Sequence, residues 1–182
     1  MGGSYYYFAS TLPMLDFEGQ PPFAVEHFLD EAERLTAGRD FFELKTAARG
    51  EGEPGSPFLK DWLRFERDMR CEAAVVRAGA LNRPAPDLAS EEKGFDAAIR
   101  LSINEAAQSP DPLAGEKVLD RARWHKLDQM ARGHYFDLEF LVVYVIKLSI
   151  LERYQKIASW EGAQKFEAMQ KKMVEEKMAQ LY

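Results

Sequence analysis

The sequence predicts an all-α protein, a single domain of about six or seven helices in a bundle around a central helix at 137–157. The first reason is that segment itself, DLEFLVVYVIKLSILERYQKI, the most apolar run in the chain and far longer than a typical strand. The second is that apolar residues elsewhere recur at three- and four-residue spacing, the mark of amphipathic helices. The third is composition: 182 residues, 46% hydrophobic and 30% charged, suit one globular domain with a real core.

Taken alone, the FLVVYVI core of the central segment would suit a buried strand. Its apolar pattern continues through Leu148, Ile150, Leu151, Tyr154 and Ile157, about six turns at 3.6 residues per turn. Asp137 suits an N-cap, and Arg153 and Lys156 lie near the end where cations suit the helix dipole. A membrane span needs roughly 20 predominantly apolar residues. This run is shorter and carries Lys147 in its middle, so no membrane insertion is expected. One face carries Phe140, Tyr144, Lys147, Leu151 and Tyr154; the opposite one carries Val142, Ile146, Ser149 and Arg153. A helix apolar on most sides belongs at the centre of its domain or under a partner.

In chain order, Tyr5 to Leu12 is an aromatic run stopped by Pro13, an extended strand or two turns of helix lying against other helices. Pro21-Pro22 opens a helix with Phe23, Phe28, Leu29, Ala32 and Leu35 inward, ended by Gly38. A short helix from Asp40 to Ala48 follows, with Phe41, Phe42 and Leu44 inward. Residues 49–56, RGEGEPGS, read as a flexible loop. Gly50, Gly52 and Gly55 match G-x-G-x-x-G in form only: a helix precedes them, and Glu51 and Glu53 would repel phosphate.

Ser56 caps the second long helix with Pro57 at its first position. One stripe holds Phe58, Trp62, Phe65, Met69, Ala73, Val76 and Ala80. The next holds Leu59, Leu63, Glu66, Arg70, Ala74, Arg77 and Leu81. Glu66 and Arg70 are spaced as an i,i+4 pair, on a solvated margin or directed toward Lys147. A Pro-rich linker at 82–89 leads to a helix capped by Ser90 and running to about Ala107, with Phe95, Ile99 and Ile103 inward. Asp111 and Pro112 start a helix to about Arg132, with Leu113, Val118, Leu119, Ala122, Leu127 and Met130 on its apolar side. Gly133 ends it. After a turn at Trp160 and Gly162, a last helix to about Gln180 carries Phe166, Met169, Met173 and Leu181.

The net charge of −6 and the lack of a Lys/Arg cluster argue against a nucleic-acid partner. Cys71 is the only cysteine, so no intrachain disulfide forms; the start of the sequence lacks the basic region of a secretion signal, and a cytoplasmic protein is expected. His27, His125 and His134 fit no zinc or di-iron spacing. No cofactor and no catalysis are expected. The polar residues singled out for partner or buried contacts are Glu66, Arg70, Arg77, Lys147 and Arg153. Lys147, inside an apolar face, also supports an alternative: a small enzyme or ligand-binding bundle built on a desolvated lysine.

Three stretches carry a resemblance: SYYYFASTLPMLDF, FLKDWLRFERDMRCEAAVVRAGAL and GHYFDLEFLVVYVIKLSILERYQKIASWEGAQKFEAM. Together they resemble a bacterial family of unknown function encoded within V-type ATPase operons, in bacteria whose operons show no obvious gene for the stalk-socket component. The most specific parts are the aromatic start with Leu12-Pro13 and the block from Tyr135-Phe136-Asp137 to Glu152-Arg153. That family is thought similar to the socket component itself, the helical protein that joins the central stalk of V-type ATPases to the membrane ring. The resemblance implies a non-catalytic role, with V-type ATPase subunits as partners at the cytoplasmic face of the inner membrane. A transient ATPase assembly factor is the other role it allows.

Overall fold

The computed structural model describes residues 5–80, 82–83 and 97–158. Among these residues the regular elements are seven helices and no strand: α1 (Tyr6–Thr11), α2 (Val25–Leu35), α3 (Gly38–Arg49), α4 (Pro57–Ala80), α5 (Ala97–Ala107), α6 (Pro112–Met130) and α7 (Leu138–Ala158). The Ser90 cap, Phe95, most of the 82–89 linker and the expected last helix lie outside the described residues. The chain is all-α, as the sequence predicts.

Three helix starts follow the capping chemistry read from sequence. Ser56 Oγ accepts from the Leu59 amide at 3.1 Å, Asp111 Oδ1 from Ala114 at 2.8 Å, and Asp137 Oδ1 from Phe140 at 3.1 Å. Each satisfies an amide that the first helical turn leaves without a partner. Between α6 and α7, Gly133 takes a φ of +89°, a left-handed conformation that glycine adopts without steric cost.

Helix α7 lies at the centre of the bundle. Leu141 through Ile146 are all buried, as are Leu148, Ile150 and Leu151. Helices α2, α3 and α6 pack on it, and α5 packs against both α4 and α6. The aromatic opening is helical and joins the same core. Phe8 of α1 lies 5.2 Å from Phe28 of α2, and Phe28 lies 5.6 Å from Tyr144 of α7 (ring centroids). The Tyr144 hydroxyl donates to the Pro13 carbonyl at 3.0 Å, which fixes the chain just after α1. Burial pushes its pKa up to about 12.

Several expectations need correction. Helix α2 begins at Val25, not at Pro21-Pro22; Phe23 precedes it and still packs, 6.3 Å from Tyr144. Gly38 opens α3, whereas α2 ends at Leu35. Phe42 is 52% exposed, while its neighbour Glu43 is buried. Leu113 is also exposed.

Glu43 accounts for the largest correction. The loop at 49–56 is tied down by it: Glu43 accepts from the Gly55 amide at 2.7 Å, the Ser56 amide at 2.8 Å and the Ser56 hydroxyl. A charged carboxylate is costly to bury unless hydrogen bonds replace its hydration, and these three do. They also anchor the start of α4. A Cβ at Gly55 would sit 3.1 Å from Glu43 Oε2, so the close approach favours glycine there.

Four outcomes follow from this packing. Leu148→Ala removes a fully buried side chain and is expected to cost about 2–5 kcal/mol in urea unfolding. Leu101→Ala, on the exposed face of α5, should stay within about 0.5 kcal/mol. Glu43→Ala removes the shared acceptor of these three hydrogen bonds and should cost about 1–3 kcal/mol while speeding proteolysis within 50–56. Above pH 10 the unfolded chain releases its tyrosine protons first, because Tyr144 and Tyr5 are raised to about 12 in the fold. The tyrosine contribution to stability should therefore be constant up to about pH 10 and be lost from there toward pH 12, with a shallower loss in Tyr144→Phe.

Candidate functional site

Among the described residues, an ionic network joins α4, α6 and α7. Its centre is Asp120, fully buried on α6. One Asp120 oxygen accepts from Arg123 Nη1 at 2.7 Å, the other from Arg153 Nη2 of α7. Arg123 Nε also donates to Glu66 of α4 at 2.8 Å. Glu116 completes the group, 3.8 Å from both arginines. Burial opposes the charge on Arg123, but Glu66 and Asp120 outweigh it and raise its pKa. Beside the network, burial first and then the Asp120 charge push the Tyr154 phenol up.

Two of the five residues singled out from sequence, Glu66 and Arg153, meet in this network. The proposed Glu66–Arg70 side-chain pair does not form: the Glu66 carboxylate turns to Arg123, and exposed Arg70 donates to the Glu66 carbonyl at 3.3 Å. Lys147 is directed elsewhere too. Its ammonium bonds Asp128 of α6 and lies 4.7 Å from the centre of the Trp124 ring. A carboxylate on one side and a ring face on the other make it a tie between α6 and α7. Asp120, Arg123 and Glu116 were not singled out, although Asp120 shares one helical face with Trp124 and Leu127. A carboxylate in a core stripe is the legible signal for such a network.

The segment before α2 is fastened to the same region. Phe17 packs edge-on against Trp124, at 5.4 Å, and Tyr154, at 6.2 Å. Next to it, Glu18 accepts from Lys117 and Arg121, each at 2.6 Å. Those bonds, Lys117 first, hold its carboxyl below the usual range.

Arg77 lies exposed at the rim of a cleft between α4, α5 and α6, with a volume of about 260 Å³. Ala73, Val76, Ile103 and Leu119 make its lining mainly apolar, and Glu116 reaches it from the network. The cleft narrows at Gly115, where an added Cβ would meet the Ala106 carbonyl oxygen at 2.8 Å. Only glycine lets α5 and α6 approach so closely.

At the α6–α7 junction, His134, Asp137 and Glu139 place three potential metal-ligand atoms within 4.8 Å of one another. Two of these groups already have partners: Asp137 Oδ2 lies 2.7 Å from His134 Nδ1, and its Oδ1 caps α7. Large aromatics are exposed on both sides of the contact between α1 and this junction: Tyr6 (62%), Tyr7 (71%), Tyr135 (67%) and Phe136 (43%). Tyr6 and Phe136 bring the two stretches together with ring centres 4.6 Å apart. No helix among the described residues is long and apolar enough to cross a membrane.

Asp120→Ala would leave Arg123 and Arg153 without their shared buried acceptor and should cost about 1–3 kcal/mol, because Arg123 keeps Glu66 and Arg153 reaches solvent. Arg70→Ala should change stability by less than about 0.5 kcal/mol. Chemical denaturation of the two variants side by side checks both values.

The chain is similar, over residues 101–177, to a family described as "Protein of unknown function (DUF2764)". The match begins within α5, includes α6 and α7, and covers under half of the chain. No curated protein and no solved structure matches.

Proposed function

We propose that this chain is a non-catalytic component of a bacterial V-type ATPase, similar to the stalk socket and acting in the cytoplasm through protein–protein contacts that serve ion-transport coupling. The reading rests on sequence resemblance, and one geometric observation supports it best. The two stretches where that resemblance is most specific, the aromatic start and the block from Tyr135, meet at one end of the bundle and leave four aromatic side chains exposed there. Aromatic residues are enriched at protein interfaces and supply many of their hot spots. The polar residues fit the same reading: Glu66, Lys147 and Arg153 tie helices together. A transient assembly factor would use the same surface and would differ in its stoichiometry in the purified complex.

Co-purification from a host that expresses the ATPase tests the proposal. The tagged chain should bring down catalytic and stalk subunits together, and its clean absence from the intact complex overturns the reading. A Tyr7→Ser/Tyr135→Ser variant with unchanged helicity should bind at least about tenfold more weakly, as the loss of an aromatic hot spot of about 2 kcal/mol implies.

A further inference from the structure

We draw no further inference here: the strongest candidate, the His134–Asp137–Glu139 cluster where α6 meets α7, is a hydrogen-bonded group at a helix N-terminus with no second feature among the described residues that points to a ligand.

Discussion

Helix α7 must be covered on nearly every side, and most of the fold follows from that constraint. Six consecutive buried residues, Leu141 to Ile146, present apolar surface all the way round the helix axis. Each fully buried aliphatic or aromatic side chain contributes about 1.5–3 kcal/mol relative to exposure, so no single neighbour is enough. Helices α2, α3 and α6 supply the cover, and the aromatic chain from Phe8 through Phe28 to Tyr144 brings α1 into it.

Charge then fixes how the helices are oriented on that core. Apolar contact is non-directional, whereas the network around Asp120 has a defined geometry: two arginines from different helices share its two oxygens, and one of them also holds Glu66. Buried ion pairs of this kind add little net stability over well-packed apolar residues, yet losing one partner is costly. Glu43 acts similarly at shorter range, holding the turn into α4 by accepting three hydrogen bonds. The proposed role as a protein-binding component draws on this picture, with buried charges supporting the frame and exposed aromatics forming a contact surface.

Much of this was legible in the residues. Ser56-Pro57, Asp111-Pro112 and Asp137 marked helix starts because capping is local chemistry, written within four positions of the residue concerned. The strand-like FLVVYVI core resolved as helix because the apolar pattern outran any ordinary strand. What stayed hidden depended on distant partners. Nothing close to Glu43 in sequence marks it for burial; its partners are the backbone amides of Gly55 and Ser56, which the fold brings round to it. Glu66 has an arginine four residues away in sequence and prefers another fifty-seven away, because Arg123 is already ordered by Asp120. Hydrophobicity alone points Phe42 inward, yet the next residue takes the buried position through its hydrogen bonds.

Native-state hydrogen exchange tests the central role of α7 most directly. If the surrounding helices depend on it, the amides of Leu141 to Leu151 should be the slowest to exchange and should open only with global unfolding. If those amides instead exchange through a partial opening while α4, α5 or α6 stays protected, α7 is not the element on which the rest of the structure depends.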